Sequence, residues 1–139
     1  MTGDVSGYAN ISAPLGVKFI GNPKTIEYDT PINVVTATTA ATTIYSFTTT
    51  TARAYSVRGI IRVQNSPVSA YGEFEINAFL FNNVGTLTLV GATPVTTKAN
   101  VAGFVLTITA VGTNIIVTAT DPGGGRRWTG RLYLVEANF

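Results

Sequence analysis

The sequence contains no cysteine and no histidine. Without cysteine it forms neither a disulfide nor a thiolate metal site, and without histidine it lacks the commonest general base and the commonest metal ligand. Nucleophilic triads that need either residue are excluded, and no Gly-x-Ser-x-Gly elbow is present. We therefore expect no metal, no cofactor and no catalytic residues.

Charged residues are also scarce, at 12% of 139 residues, about half the usual share of roughly 25%. The 9 basic and 7 acidic residues give a net charge of +2, too little for the basic stripe of a nucleic-acid-binding protein. No run approaches the roughly 20 apolar residues of a membrane helix, and no signal-peptide pattern is expected at the start. We expect neither nucleic acid nor membrane as a partner, and a surface partly covered by other protein chains.

What the sequence does contain is short runs of β-branched and aromatic residues separated by Gly, Asn, Pro and Asp. This pattern, without an amphipathic helix, predicts an all-β antiparallel sandwich or barrel of about eight to ten strands. Residues 1–14 are polar and are predicted to form an extended N-terminal arm, and residues 15–139 a single domain. The predicted strands are Val17–Ile20, Ile32–Thr38, Thr42–Thr50, Arg53–Asn65, Tyr71–Asn82, Thr86–Val90, Phe104–Val111, Asn114–Asp121 and Trp128–Ala137.

Two of these strands alternate strictly between apolar and polar residues. In Arg53–Asn65 and Tyr71–Asn82 one parity is apolar, which predicts one buried face and one wetter face. The wetter face of the second strand becomes apolar at Phe79 and Phe81. That end must be covered, either by the fold itself or by another chain, and the second choice suits an oligomer.

Glu73 and Glu75 form a pair of carboxylates on one strand face. Their Cα atoms would be roughly 6.5–7 Å apart, which overlaps the spacings used in glycoside hydrolysis. Adjacent acids are common on outer strand faces, and a subunit this small has little room for the required cleft. The pair is therefore interpreted as chance, and the chain is predicted not to be an enzyme. If residues 65–70 close a hairpin, Glu75 can lie opposite Arg62.

The segment Gly123–Trp128 is the most distinctive local feature. Glycines before paired arginines can hold an anion, and an Arg–Trp pair can stack on a sugar or a base. The alternative is a hairpin tip followed by a strand in which Trp128 points inward and Arg127 outward, and no helix pattern follows as a Walker loop requires. The candidate interaction surface comprises Arg126, Arg127, Trp128, Phe79 and Phe81.

Three segments resemble a small β-structured domain that recurs in tailed-bacteriophage virion proteins. They are ARAYSVRGIIRVQN, GEFEINAFLFNNVGTLTLVG and VLTITAVGTNIIVTATDPGGGRRWTGRLYLVEA, which together lie within residues 53–137 apart from one flanking alanine. The shared pattern includes the Asn-Asn-x-Gly-Thr-Leu-Thr-Leu-Val-Gly hairpin, a Gly-Thr-Asn turn and a final Trp-Thr-Gly-Arg-x-x-x-Val-Glu strand. The residues before Arg53 fall outside the resemblance, and no coiled-coil or collagen-like shaft is recognised there.

The resemblance implies a virion component that assembles or attaches, and it assigns no site residue. The absence of a recognised shaft favours a capsid decoration or cement protein, or a short head-fibre or adaptor subunit. Its expected partners are further copies in a homotrimer and a major capsid protein or tail component. The alternative is a tail-fibre or tailspike tip whose loops, with Trp128, Tyr71 or Gly123–Arg127, bind a bacterial surface receptor or glycan.

Overall fold

The computed structural model describes the backbone of residues 17–19 and all of residues 25–65, 69–91 and 94–138. These ranges form ten strands, every pairing is antiparallel, and the all-β prediction is confirmed. Neither a closed barrel nor a helix occurs in them, so they hold no helix that could cross a membrane. The predicted arm over residues 1–14 lies outside the described residues.

The larger of two sheets has seven strands, in the order β1-β2-β10-β4-β5-β6, with β7 also paired to β5. The 13-residue strand β5 is long enough to pair with β6 over Phe79–Asn83 and with β7 over Gly72–Ile76. The strands are β1 (Val17–Phe19), β2 (Thr25–Val35), β4 (Arg53–Gln64), β5 (Tyr71–Asn83), β6 (Thr86–Val90), β7 (Val95–Ala99) and β10 (Arg127–Asn138).

The smaller sheet has three strands in the order β3-β9-β8: β3 (Thr42–Thr48), β8 (Val105–Val111) and β9 (Asn114–Thr120). One face of each sheet is lined by the buried residues of its alternating pattern. These faces pack on each other as a sandwich, because an apolar sheet face must be covered by a second layer.

The core between the sheets contains the residues that the alternation placed inside. Tyr55, Val57, Phe74 and Leu80 of the large sheet are fully buried, as are Ile115 and Val117 of the small one. The Trp128 ring packs against Phe74, with centroids 5.4 Å apart, and meets Phe104 edge-on at 6.1 Å. Phe104 directly precedes β8, so this indole joins the two layers.

Two strands differ from their predictions. Strand β2 begins at Thr25, whereas the sequence predicts a strand only from Ile32, directly after Pro31. Pro31 is tolerated because β1 pairs only with Ile26–Tyr28, which leaves β2 at Pro31 with β10 as its one partner among the described strands. Strand β7 was not predicted at all, since its sequence VTTKA is short and mostly exposed.

Candidate functional site

The loop after β9 is organised around a buried carboxylate. Asp121 has no exposed surface, and its carboxylate accepts hydrogen bonds from the backbone N–H groups of Gly123 (3.0 Å) and Arg126 (3.1 Å) and from the Thr36 hydroxyl (3.0 Å). It also forms an ion pair with the Arg126 guanidinium. Burial alone would raise the pKa of Asp121, but the hydrogen bonds and the guanidinium outweigh it and hold the pKa below its ordinary value.

This network shows that Arg126 has a structural role. Its guanidinium is turned toward Asp121 and lies 5.2 Å from the centre of the Phe104 ring. Only 18% of the Arg126 side chain is exposed. Of the two interpretations of this segment, the anion site between the glycines and the paired arginines is therefore the one that fails, because Asp121 already occupies the position of the anion.

The next two candidate residues, Arg127 and Trp128, lie on opposite faces of β10, as the alternation of side chains along a strand requires. Trp128 is fully buried, and its Nε1–H donates to the Thr36 hydroxyl at 3.3 Å. The interpretation in which Trp128 points inward and Arg127 outward is thus confirmed, and the one in which Trp128 stacks on a ligand is corrected to a core position. Arg127 is exposed on the outer face of β10, where its guanidinium donates to the Asn33 side-chain oxygen.

Phe79 and Phe81 lie on the outer face of the large sheet, near the end of β5. Phe79 is 44% exposed and stands between Ser56 of β4 and Val90 of β6, whereas Phe81 is half-buried. Within the described residues the fold leaves Phe79 and Val90 open to solvent. These side chains form an apolar end on a sheet face that is mostly polar.

The middle of the same outer face holds a depression that sequence reasoning missed. It has a volume of about 600 Å³, and the backbone of Gly59 and Gly130 forms part of its lining. A Cβ on Gly59 would lie 2.1 Å from the Arg131 carbonyl oxygen, and one on Gly130 would lie 2.1 Å from that of Ile60. The two glycines therefore allow β4 and β10 to approach closely here. The exposed side chains around it are Arg58, Ile60, Arg62, Glu75, Asn77, Arg131 and Tyr133.

A second depression of about 540 Å³ continues the first along β4 and β5. The two meet at Arg62, which pairs with Glu73 at 2.9 Å, and the far end carries Tyr71 and Lys98. We call the combined feature the outer groove. From Arg58 to Gln64, opposite Tyr71, it spans on the order of 20 Å at the usual rise per strand residue.

The outer groove has a tyrosine near each end and ionic groups between. Tyr133 is 40% exposed and Tyr71 is 53% exposed. Arg62 pairs with Glu73 and Arg131 pairs with Asp29, at 3.2 Å, so these four charges offset one another. Among the described residues Arg58 has no hydrogen bond or ion pair to any side chain, and neither has Glu75.

The predicted contact between Arg62 and Glu75 is wrong by one step along the face. The Asn65 side-chain oxygen accepts from the N–H groups of Ser69 and Ala70, both at 2.9 Å, and this turn sets the register that places Arg62 opposite Glu73. Glu75 lies opposite Ile60 instead. The exposed arginines and acids are visible in the sequence, but their grouping depends on pairing between β4 and β10, which are far apart in the chain.

An antiparallel β-sandwich with a polar groove across one outer face is thus the class of structure that these observations define. No known family model matches the sequence, and no curated protein resembles it significantly. Among solved structures, it is similar to the tailspike protein of Acinetobacter baumannii phage AM24, with a TM-score of 0.47 and 8% identity. That match covers 84% of this chain and 26% of the tailspike.

A second similar structure is the tailspike protein gp49 of the A. baumannii bacteriophage Fri1, described as a capsular polysaccharide depolymerase. The TM-score is 0.44 and the identity 10%, over 97% of this chain and 21% of that one. The chain thus spans about a quarter or less of the length of either tailspike.

The description of gp49 contradicts the prediction that the chain is not an enzyme. The reasoning behind that prediction was too broad. Missing histidine and cysteine exclude triads, but glycoside hydrolysis needs only carboxyl groups. Glu73 and Glu75 line the outer groove, so the objection that no cleft accompanies these acids is also withdrawn.

Proposed function

We propose that the chain is a bacteriophage virion protein of the tail, a tail-fibre or tailspike module that binds a bacterial surface glycan in the outer groove. The observation that carries the proposal is the groove itself, about 20 Å long by its strand rise, with exposed Tyr133 and Tyr71 near its ends. A long, open groove suits a polymer better than a compact molecule, which a deep pocket would enclose.

The chemistry of the lining fits a saccharide. A sugar ring presents an apolar C–H face and a rim of hydroxyl groups, so it calls for an exposed aromatic ring beside hydrogen-bonding side chains. Tyr133 supplies the ring, next to Arg58 and Asn77 in the same cross-strand row. The carboxylate of Glu75 is available to accept hydroxyl hydrogen bonds. Nucleic acid would require a dense excess of cations, which the paired acids remove.

The groove also favours attachment over capsid decoration, the first role that the resemblance implied. A decoration protein needs a surface shaped to a neighbouring protein, whereas this groove is lined by separate charged and aromatic groups. The resemblance of residues 53–137 to phage virion domains supports the proposed location in the virion.

An array of purified bacterial capsular polysaccharides tests this function. The wild-type protein should bind at least one of them, and Tyr133→Ala and Tyr71→Ala should each weaken that binding by about fivefold, given roughly 1 kcal/mol per lost ring contact. Thr109→Ala, on the exposed face of the small sheet, is the matched control and should bind like the wild type. An assay for new reducing ends in the same samples decides whether cleavage accompanies binding. No binding to any polysaccharide would overturn the proposal.

The module is further proposed to act as an oligomer, a homotrimer joined to another virion protein. Support comes from the apolar end of the large sheet, where Phe79 and Val90 are about half exposed. Native mass measurement tests this, with Phe79→Ser as the disrupting variant. A monomer at micromolar concentration for the wild type would contradict it.

A further inference from the structure

We infer that the outer groove selects glycans that carry a carboxylate, and that Arg58 is the residue that binds the acidic group. The inference rests on the proposed function and names the chemical class of its ligand. It follows from the different states of the three arginines that line the first depression.

Two of those arginines already have anionic partners. The Arg62 Nε–H donates to Glu73 at 2.9 Å, and the Arg131 Nε–H donates to Asp29 at 3.2 Å. Arg58 is also exposed, yet in the described part of the chain no carboxylate lies within ion-pair distance of it. Among the described residues the groove therefore holds one guanidinium, that of Arg58, without an anionic partner of its own.

The neighbours of Arg58 allow a planar, two-point contact. In the sheet it lies opposite Tyr133 on one side and Asn77 on the other. Both are uncharged, so neither competes for the guanidinium as a counter-ion. A carboxylate accepts two parallel N–H hydrogen bonds from one guanidinium, which makes this pairing both strong and directional. The attached sugar ring would then lie beside the Tyr133 ring.

The charge around Arg58 favours a carboxylate over a more highly charged group. Glu75 has no cationic partner among the described residues and lies diagonally across the strands from Arg58, where side chains are roughly 7–8 Å apart. Its charge repels any bound anion. With Glu75 beside it, Arg58 leaves no surplus of cations to neutralise a phosphate dianion, whereas one guanidinium matches the single charge of a carboxylate, as in a uronic acid.

The test uses uronate-containing capsular polysaccharides, the same polysaccharides after chemical reduction of their carboxyl groups, and neutral ones. Wild-type protein should bind the uronate forms about tenfold or more tightly than the reduced forms, and added salt should narrow the difference. Arg58→Gln should abolish the difference, and Arg58→Lys should restore only part of it because an ammonium group lacks the fork. Arg127→Gln is the control, since Arg127 is exposed on the same sheet face but does not line the first depression.

The outcomes separate the two levels of the proposal. If reduced and uronate polysaccharides bind equally, and Tyr133→Ala weakens both, the groove binds glycans but the carboxylate inference is overturned. If Arg127→Gln abolishes the preference and Arg58→Gln does not, the assignment to Arg58 is overturned. If no polysaccharide binds, the proposed function fails as well. Thermal unfolding of each variant verifies that it is folded, and exposed substitutions of this kind usually change stability by under about 0.5 kcal/mol.

Discussion

The two sheets of the sandwich have the same antiparallel architecture, but their outer faces differ in charge. Several exposed positions on the strands of the large sheet carry charged residues, among them Arg58, Arg62, Glu75 and Arg131. The strands of the small sheet, β3, β8 and β9, contain none. Their outward positions are filled by Thr, Ser, Val, Ile and Asn, and the hydroxyls of Thr107 and Thr118 hydrogen-bond to each other across two strands.

The difference separates what a sheet needs to fold from what it needs to recognise a ligand. Threonine keeps an outer face wettable while its branched Cβ favours the extended backbone, so an uncharged face is sufficient for a stable sheet. Charged groups on a sheet surface add little stability by themselves. Their concentration on one of two comparable faces therefore indicates a use other than folding, which is why the groove is taken as the binding surface.

The largest expected effect comes from removing the Trp128 ring, which packs between the two sheets. Trp128→Ala should lower the free energy of unfolding by about 3–5 kcal/mol, because it leaves a cavity between Phe74 and Phe104. Urea denaturation measures the change. Thr129→Ala, exposed on the same strand, should change it by less than about 0.5 kcal/mol. A loss below about 1 kcal/mol for Trp128→Ala would mean that the layers do not depend on this side chain.

A second prediction compares the buried ion pair at the junction of the sheets with an exposed one on the groove face. Asp121 follows β9 of the small sheet, and its partners Thr36 and Arg126 flank strands of the large one. Asp121→Ala should cost about 3 kcal/mol, since it leaves Arg126 and buried N–H donors without an acceptor. Glu73→Ala, which breaks the exposed pair with Arg62, should cost under about 1 kcal/mol. We call Asp121, Thr36 and Arg126 the clasp, because their contacts join the two sheets. Similar losses of stability for Asp121→Ala and Glu73→Ala in urea titrations would show that the clasp does not stabilise this junction.

The clasp also predicts how the free energy of unfolding falls at acid pH. Because the pKa of Asp121 is lower in the folded protein than its ordinary value of 3.8, its contribution is complete above that value and is lost as the pH falls through the folded pKa. Urea unfolding from pH 6 to pH 2 should therefore show a decline that is shallower in Asp121→Asn. An identical slope in the variant would show that other carboxylates control acid unfolding.

A structural feature can be predicted from the sequence when residues close together in the chain determine it. Alternation over Arg53–Asn65 identified the buried side of β4 because strand parity is local. The hydrophobic pattern likewise gave the all-β class. Strand β7 was missed because four of its five residues are exposed, so it has no apolar periodicity to detect.

The groove and the clasp were beyond such local reasoning. Glu73 and Arg62 are 11 residues apart, and a shift of the turn at Asn65 would change which acid meets the arginine. Arg126 is a candidate interaction residue in the sequence because nothing near it in the chain shows that Thr36 and Trp128 complete a buried site around Asp121. The register set by one turn determines the first contact, and pairing between distant strands determines the second.

At alkaline pH the loss of stability depends on one buried tyrosine from each sheet. Burial raises the pKa of Tyr45 in β3 to about 12, and burial together with the nearby Glu136 carboxylate does the same for Tyr55 in β4. Since both pKa values are raised from 10.0, the stability of the folded form is fully present below pH 10 and is lost as the pH rises toward 12. Each tyrosine should cost about 1 kcal/mol at pH 11. In urea titrations Tyr45→Phe should make the decline at pH 11 smaller by about 1 kcal/mol, and an unchanged decline would assign it to other groups.

The smallest predicted effect concerns the two-residue hairpin of each sheet. In the large sheet, Val84 and Gly85 both have positive φ, 51° and 82°, as a type I′ turn requires, and this conformation is strained for the β-branched Val84. In the small sheet the positive φ of 61° falls on Gly112, which adopts it freely. Val84→Asn should therefore raise the free energy of unfolding by about 1 kcal/mol, because asparagine tolerates this backbone and Val84 is 85% exposed with little packing to lose.

Gly112→Ala is the matched reverse, with open space around the added methyl group and an expected loss of about 1 kcal/mol. Thermal or urea unfolding of the two variants gives both signs. If Val84→Asn destabilises the protein, the valine must make contacts that outweigh its strained backbone. The strained backbone at Val84 would then be retained because of the valine side chain. Val84 would belong with Phe79 and Val90 in the proposed contact between subunits.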